Sequence, residues 1–272
     1  MSIDEVALSN GELYTVVTNK DAKGRKGCLA ALIKGTKASV VCEALETVPI
    51  SIKFAVEEMT LDLAGNMDWI ARASFPNAVH IADRFHFQGV VTEAVQEIRI
   101  KYRRKAIDED NRKQAEAREL KQVYKPITFI NGDTKRQLLA RGRHLLFKPP
   151  NKWTESQQER AEILFDEYPE IEKVYKLSMY FRGIFEFKCT RNVGKQKLNQ
   201  WYEKIETAGL PELVSAANTI KRHEGKILNY FYTRSTNASA ESFNAKLKGF
   251  RALLRGVSDI NFFLYRLEKL YA

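Results

Sequence analysis

The sequence is poor in the residues that build disulfide or zinc scaffolds. It has three cysteines in 272 residues, Cys28, Cys42 and Cys189, and no two of them form a Cys-x-x-Cys pair. An odd number of widely spaced cysteines argues against a disulfide framework, and the missing pairs argue against a zinc ribbon. We expect reduced cysteines that pack as small hydrophobic residues in a cytoplasmic protein.

Long hydrophobic runs are missing as well. No stretch reaches the roughly 20 apolar residues that a transmembrane helix needs, so we expect no membrane partner. Met1 is followed by Ser-Ile-Asp-Glu-Val, which contains neither the basic nor the apolar region of a secretory signal. The hydrophobic share of 44% excludes a long disordered chain, because such chains lack the apolar area that offsets the entropy of ordering.

Positive charge is in excess. Forty-four Lys and Arg residues against 34 Asp and Glu residues give a net charge of +10 and an isoelectric point near 9.4. Such a surplus favours a polyanionic partner where the basic residues cluster. The densest cluster lies in a predicted helix and comprises Arg99, Lys101, Arg103, Arg104 and Lys105, and a looser one comprises Lys135, Arg136, Arg141, Arg143 and His144. Both are candidate contacts to a nucleic-acid backbone, with a solvated helix face as the alternative.

The first 83 residues predict alternating strands and helices. Strands are expected at 3–8, 12–18, 27–34, 56–62 and 78–82, and helices at 36–45 and 64–74. Turn signals at Asn10-Gly11 and Lys23-Gly24 favour an antiparallel meander of the first three strands. The order of three strands, helix, strand, helix and strand is that of an RNase H-like core.

The remaining residues predict helices. Residues 87–121 contain no proline and are rich in Glu, Gln, Lys, Arg and Ala. Further helices are expected at 133–147, from 154 onwards, at 197–207 and at 211–222. The last helical stretch, 238–271, has an expected break near Gly256.

Three aspartates stand in or directly after predicted strands. Asp4 lies within the first strand, Asp62 ends the fourth, and Asp83 ends the fifth, three residues before His86. A carboxylate in an apolar strand is costly unless it is paired or binds a cation, and carboxylates at strand ends can converge on one metal position. Structural alternatives are an exposed strand end for Asp4, a helix N-cap for Asp62, and an ion pair or cap for Asp83. His86 is a candidate proton shuttle or a hydrogen-bonded structural residue.

A fourth carboxylate lies on a predicted late helix. Glu241 begins a polar stripe that continues through Asn244 to Lys248, Arg251 and Arg255. The stripe indicates a metal-ligand carboxylate followed by phosphate-binding cations, or else a solvated helix face.

The candidate carboxylates suit a hard cation. Mg²⁺ prefers oxygen ligands, and two such ions can activate a water or a 3′-OH and stabilise the leaving oxygen of a phosphodiester. Asp4, Asp62 and Glu241 meet the number of ligands needed, with Asp83 as a fourth candidate.

Five segments carry a resemblance to a known family. They are Ile-Asp-Glu-Val-Ala-Leu at 3–8, Leu-Asp-Leu-Ala-Gly-Asn-Met at 61–67, Phe-Pro-Asn-Ala at 75–78, Asp-Arg-Phe-His at 83–86, and 237–248, which contains Ala-Glu-Ser-Phe-Asn-Ala-Lys. Together they make the sequence similar to the ISL-three family of bacterial insertion-sequence transposases over essentially all of 1–272. The segments at 83–86 and 237–248 are the most specific.

The resemblance implies a DDE transposase that uses two Mg²⁺ or Mn²⁺ ions for DNA cleavage and strand transfer. The family's first Asp matches Asp4 and its Glu matches Glu241. The strand count matches the middle Asp with Asp62, and Asp83 stays an alternative. His86 would lie beside the active site.

The resemblance also implies a domain organisation and partners. The fold is expected to be α/β, an RNase H-like mixed sheet core interrupted by a large all-α insertion. Residues 1–86 would form the first part of the core, 87–235 a DNA-binding helical insertion, and 236–272 the final core helices. Expected partners are double-stranded transposon ends and target DNA, and further copies of the chain in a homodimer or larger synaptic assembly at the nucleoid.

One departure from the family keeps other functions open. Family members usually carry an N-terminal zinc-binding segment and a helix-turn-helix that read the transposon ends, and the sequence shows neither. We therefore expect the C-terminal catalytic portion of a longer protein. The alternatives are a catalytically inactive basic DNA-binding remnant that modulates a full-length transposase, and another RNase H-like nuclease that cuts without strand transfer.

Overall fold

The computed structural model describes residues 1–8, 11–254 and 259–272. These residues form two compact units. Residues 1–87 and 223–272 make up the first, which we call the sheet unit, and residues 88–222 make up the second, which we call the helical unit. None of the helices described is both long and apolar enough to cross a membrane.

A mixed five-stranded sheet forms the centre of the sheet unit. In chain order its strands are β1 (Ser2–Ala7), β2 (Leu13–Thr18), β3 (Leu29–Lys34), β4 (Glu58–Leu61) and β5 (Val79–Ala82). Their order across the sheet is β3-β2-β1-β4-β5. The first three strands pair antiparallel, whereas β1, β4 and β5 run parallel. The α/β class, the mixed sheet and the antiparallel meander expected from the sequence are confirmed in the described residues.

Helices cover both faces of the central strand β1. The helices of the sheet unit are α1 (Ala38–Glu46), α2 (Ile50–Phe54), α3 (Gly65–Ser74), α10 (Glu224–Thr233), α11 (Ala238–Leu253) and α12 (Ile260–Tyr271). Ile3 of β1 is buried in a core with Ile70 of α3. Val6, three residues later and therefore on the opposite face, is buried with Phe243 of α11 and Phe263 of α12. Side chains of β1 on the same face as Val6 thus point toward α11.

The end of the helical block differs from the sequence-based expectation. Residues up to 235 were expected in the insertion, but α10 belongs to the sheet unit. The side-chain amide of Asn229 donates a hydrogen bond to the carbonyl of His80 in β5 at 2.9 Å. Lys226 pairs with Asp68 of α3 at 3.0 Å. The break expected near Gly256 falls outside the described residues.

The helical unit holds the long basic helix. Its elements are α4 (Arg84–Glu119), which belongs to this unit from Gln88 onwards, α5 (Lys135–Leu145), α6 (Glu155–Glu167), α7 (Pro169–Glu186), α8 (Arg191–Ala208) and α9 (Pro211–Arg222). Thr134 and Thr154 begin α5 and α6 with capping boxes, which satisfy amide donors at each helix start. Trp201 is fully buried, and its indole donates to the carbonyl of Leu177 at 3.0 Å. Trp201 therefore serves the packing of the helical unit.

Candidate active site

Parallel pairing places Asp4 and Asp62 level with each other. Ser2 of β1 is paired with Thr60 of β4. Asp4 lies two residues further along β1, and Asp62 lies two residues after Thr60, directly past the end of β4, so a continued register makes the two residues level. Neighbouring strands are separated by about 4.8 Å, and level residues of a parallel pair point to the same face. The backbone alone therefore brings these two carboxylates together.

Asp83 occupies the same level one strand further on. Leu61 of β4 is paired with Ala82 of β5, and Asp62 and Asp83 follow these two residues directly. Asp4, two residues from Val6, lies on the face of β1 that is covered by α11. Three aspartates in one row thus face the helix that carries the fourth candidate carboxylate.

Asp4 is half-buried and held in position by α11. The side-chain amide of Asn244 donates a hydrogen bond to Oδ2 of Asp4 at 2.8 Å. Burial raises the pKa of Asp4 above its ordinary value. The negative charges of Asp62 and Glu241 raise this pKa further, whereas the charge of His86 lowers it. These effects place Asp62, Glu241 and His86 within electrostatic range of Asp4.

Asp62 uses one of its two oxygens to build the turn that leads into α3. Its Oδ1 accepts a hydrogen bond from the backbone N–H of Ala64 at 2.9 Å. Ala64, and not Asp62, is the N-cap residue of α3. Oδ2 of Asp62 accepts no hydrogen bond from the part of the chain that the structure describes. This oxygen is therefore available to a ligand.

Asp83 is fully buried and has both oxygens occupied. Oδ1 accepts from the backbone N–H of Asn237 at 2.8 Å. Oδ2 accepts from the backbone N–H of Phe85 and pairs with Nδ1 of His86, both at 3.1 Å. Burial alone would raise the pKa of Asp83, but the hydrogen bonds from His86 and Asn237 lower it below the ordinary value.

His86 is the partner of Asp83 in an ion pair. The hydrogen bond to Asp83 raises the pKa of His86 despite partial burial, and the charges of Asp83, Asp62 and Asp4 raise it further. The pair with Asp83 holds Nδ1, so the imidazole is oriented with its other nitrogen left for further contacts.

Two asparagines of the segment 237–248 have surroundings that the sequence did not predict. Asn237 is fully buried, and neither polar atom of its side chain has a hydrogen-bond partner among the described residues. Asn244 is nearly buried, and its Oδ1 also lacks a partner there. Unpaired polar atoms in a buried position are rare and require an explanation. Both residues lie within the segment 237–248, which was the available sequence signal.

The residues of the predicted polar stripe on α11 differ in exposure and in their partners. Glu241 and Lys248 are exposed. Arg255 lies outside the described residues. Arg251 is buried and forms a two-pronged ion pair with Glu12, with Nε to Oε2 at 3.1 Å and Nη2 to Oε1 at 2.9 Å. This guanidinium holds α11 to the segment before β2, so we withdraw it from the candidate DNA contacts.

The five basic residues of α4 also differ in solvent exposure. Arg99 is buried, Arg103 is half-buried, and Lys101, Arg104 and Lys105 are exposed. The five cations therefore do not form one uniform surface.

The candidate metal ligands do not form a closed cage. Within residues 1–8, 11–254 and 259–272, no three His, Cys, Asp or Glu side chains are placed to hold a metal ion together. In the same residues no Lys or Arg forms an ion pair with Asp4, Asp62 or Glu241. Mg²⁺ commonly binds through one or two protein carboxylates and completes its shell with waters and substrate phosphates. Neighbouring carboxylates without a cationic partner fit such a hydrated ion.

Comparison with known proteins gives one family match. The model of the family DDE_Tnp_ISL3, described as a transposase, matches residues 1–267. No curated protein and no solved structure matches the chain.

Proposed function

Since this chain belongs to the ISL-three family of transposases, we propose that it is a DDE transposase that cleaves and joins DNA with divalent metal ions. The observation that carries the proposal is the level placement of Asp4 and Asp62 on parallel strands, facing α11. Glu241 of α11 is near enough to raise the pKa of Asp4. These positions support a metal site that draws its carboxylates from three elements of the sheet unit.

The strand order supports an RNase H-like core. The first three strands form an antiparallel meander, and the two later strands add in parallel on the other side of β1. The order β3-β2-β1-β4-β5 makes β1 the central strand. Asp4 lies on that strand, and helices pack against both of its faces.

We assign Asp4, Asp62 and Glu241 as the metal-binding residues and Asp83 as a positioning residue. Asp62 has a free oxygen among the described residues. Asp4 accepts from Glu5 and Asn244 but is only half-buried, whereas Asp83 is fully buried with both oxygens used by His86 and backbone amides. Releasing Asp83 for a metal would leave the amide of Asn237 unpaired in a buried place, which is costly. Asp83 instead fixes the start of α11 and the ring of His86.

When bound, Mg²⁺ or Mn²⁺ supplies activation of a water or 3′-OH and stabilisation of the leaving oxygen. The protein orients the ligands for it. Asn244 holds Oδ2 of Asp4, Ala64 holds Oδ1 of Asp62, and Asp83 holds His86 beside both carboxylates. His86, whose pKa is raised, favours the protonated form and so offers a proton donor to a developing oxyanion.

Incubation of the purified chain with supercoiled plasmid and a pre-cleaved DNA end, in Mg²⁺ or Mn²⁺, tests this function. We expect nicking and joining that depend on the metal. Glu241→Gln and Asp4→Asn should reduce both to background, because each removes a charged ligand of the cation. Glu5→Gln is the matched control, since Glu5 neighbours Asp4 but points to the other face of β1.

The products separate the alternatives. Nicking without joining would indicate another type of RNase H-like nuclease. Salt-sensitive DNA binding with no metal-dependent product from any sample would indicate the inactive DNA-binding remnant. Activity that survives Glu241→Gln at the wild-type rate would overturn the assignment of Glu241.

A further inference from the structure

Four arginines surround a cavity in the helical unit. The cavity has a volume of about 620 Å³. Arg99, Arg103 and Arg104 of α4 and Arg143 of α5 line it. We propose that this cavity binds a phosphate group and that, in the proposed transposase, the group is a phosphodiester of duplex DNA. The identity of the ligand as DNA rests on the proposed function, whereas the phosphate chemistry rests on the cavity itself.

The cavity concentrates a surplus of positive charge. Burial lowers the pKa of Arg99, and the nearby charges of Arg103 and Arg143 lower it further. Within the described residues, none of the four arginines forms an ion pair. Glu93 is the acidic residue among those that line the cavity. Four guanidinium groups against the carboxylate of Glu93 leave a positive surplus, which favours binding of an anion.

One of the guanidinium groups has a buried donor with no partner. Nε of Arg103 is shielded from solvent and lacks a hydrogen bond among the described residues. Leaving a buried donor unpaired is unfavourable, so the guanidinium of Arg103 has a hydrogen-bonding capacity that the described residues do not use. The planar guanidinium fork matches two oxygens of a phosphate, whereas an ammonium acts as a point charge.

The cavity is held together by hydrogen bonds between α4 and α5. Arg99 donates from Nε to Oε1 of Gln96 at 2.7 Å and from Nη1 to the carbonyl of Leu139 at 2.8 Å. The side-chain amide of Gln96 donates to the carbonyl of Arg143 at 3.3 Å. These contacts fix Arg99 before any ligand arrives, which reduces the entropy lost on binding.

The two lysines of the same basic run have other surroundings and do not line the cavity. Lys101 lies 3.6 Å from a carboxylate oxygen of Glu212. The ammonium of Lys105 lies over the ring of Tyr102, 5.5 Å from its centroid. The structure thus separates the arginines that line the cavity from the two lysines, which do not line it. We therefore withdraw Lys101 and Lys105 from the candidate DNA contacts, and Lys105 provides a matched cationic control on the same helix.

Binding is tested by fluorescence anisotropy with a labelled 20-base-pair duplex and the full chain in EDTA. We expect Arg103→Gln and Arg143→Gln each to weaken DNA binding about tenfold. Each should also reduce the slope of log affinity against log salt by about 1, because a complex with one phosphate contact fewer releases fewer counter-ions when it forms. Lys105→Gln should keep a DNA affinity within about twofold of wild type, because this exposed ammonium does not line the cavity. Arg103→Lys keeps the charge but loses the planar guanidinium, so its DNA affinity should lie between those of wild type and Arg103→Gln.

A second measurement identifies the source of the phosphate. Pyrophosphate should raise the melting temperature of the wild-type chain and of Lys105→Gln, but not of Arg103→Gln. If the arginine variants lose this stabilisation while duplex binding is unchanged, the cavity takes free phosphate and the DNA assignment is wrong. Equal losses of DNA affinity for Lys105→Gln and Arg103→Gln would overturn the cavity as a distinct site.

Two controls keep these outcomes interpretable. Unchanged circular dichroism and melting temperature without ligand show that the variants fold, and Arg103→Lys replaces Arg103→Gln if the latter does not. Because EDTA removes divalent metal, loss of binding here is independent of metal-dependent nicking. Failure of the cavity and failure of the proposed catalytic function are therefore separate results.

Discussion

Asn244 is the residue through which α11 controls the first candidate ligand. Its amide donates to Oδ2 of Asp4 at 2.8 Å. We expect Asn244→Ala to lower the rate of metal-dependent nicking about 10- to 100-fold, a range typical of residues that orient metal ligands. DNA affinity in EDTA should not change. Asn66→Ala is the control, because Asn66 bonds Glu5 instead. Equal rates for both variants would show that Asn244 has no positioning role.

Asp68 is a second residue whose effect can be measured, this time on stability. Burial alone would raise its pKa, but the ammonium of Lys226 and hydrogen bonds from Arg72 and His80 lower it. A lowered folded-state pKa adds stability above the ordinary value of 3.8, and this stability is lost as the pH falls through the lowered pKa. We expect Asp68→Asn to reduce the free energy of unfolding by about 1–2 kcal/mol at pH 7.

Urea unfolding at pH 7 and at pH 3 measures this contribution. The difference between wild type and Asp68→Asn should be largest at pH 7 and should shrink on acidification. Asp21→Asn, at an exposed position, is the control and should leave stability nearly unchanged. A difference that grows toward pH 3 would contradict the assignment of this carboxylate as a stabilising anion.

At the residue scale, the sequence predicts which residues belong to the candidate site better than it predicts the burial and hydrogen bonds of their side chains. The segment 237–248 identified Glu241. The residue type of Asn237 alone could not predict that its side chain is buried and lacks a hydrogen-bond partner among the described residues. Likewise, Asp62 and Asp83 look alike as strand-end aspartates. The hydrogen bond that occupies Oδ1 of Asp83 comes from the backbone of Asn237, which lies 154 residues away in the chain.

At the scale of elements, the ion pair of Arg251 with Glu12 joins α11 to the segment before β2. Removing one partner of a buried pair leaves the other charge unpaired. We therefore expect Arg251→Met to lower the free energy of unfolding by about 3 kcal/mol, and to leave the DNA affinity of the folded protein within twofold. Chemical denaturation and anisotropy in EDTA measure the two effects.

The double variant with Glu12→Gln is the matched comparison for Arg251. It should recover part of the lost stability, since the uncompensated carboxylate is removed. Wild-type stability together with a tenfold loss of DNA affinity would show instead that Arg251 contacts DNA. The sequence favoured that role because Arg251 falls on the polar stripe of α11, whereas the packing of α12, with Phe263 5.3 Å from the guanidinium, buries it.

The positions of strands and helices could be predicted from the sequence, but the register in which the strands pair could not. The strand predicted at 56–62 corresponds to Glu58–Leu61, and the helix predicted at 64–74 corresponds to Gly65–Ser74. Local periodicity and turn residues determine such limits. The pairing of Ser2 with Thr60 depends on contacts between distant segments, and it is this register that makes Asp4 and Asp62 level.

At the scale of the whole molecule, the chain joins a sheet unit and a helical unit that carry separate chemistry. The sheet unit holds the proposed metal-binding residues, and the helical unit holds the arginine-lined cavity. The sequence predicts the mixed sheet and the family, because both depend on several segments spread over the chain. It does not predict that residues 223–233 belong with the sheet, since α10 is amphipathic like the helices before it and only its contacts with β5 decide its place.

Substitution by cysteine provides the decisive measurement of which aspartate completes the metal-binding set. A thiolate is a poor ligand for Mg²⁺ and a better one for softer divalent metals such as Mn²⁺. We expect Asp62→Cys to nick plasmid DNA in Mn²⁺ but not in Mg²⁺, and Asp83→Cys to show no such difference between the metals. A switch in metal preference for Asp83→Cys, with none for Asp62→Cys, would contradict the assignment and make Asp83 the ligand.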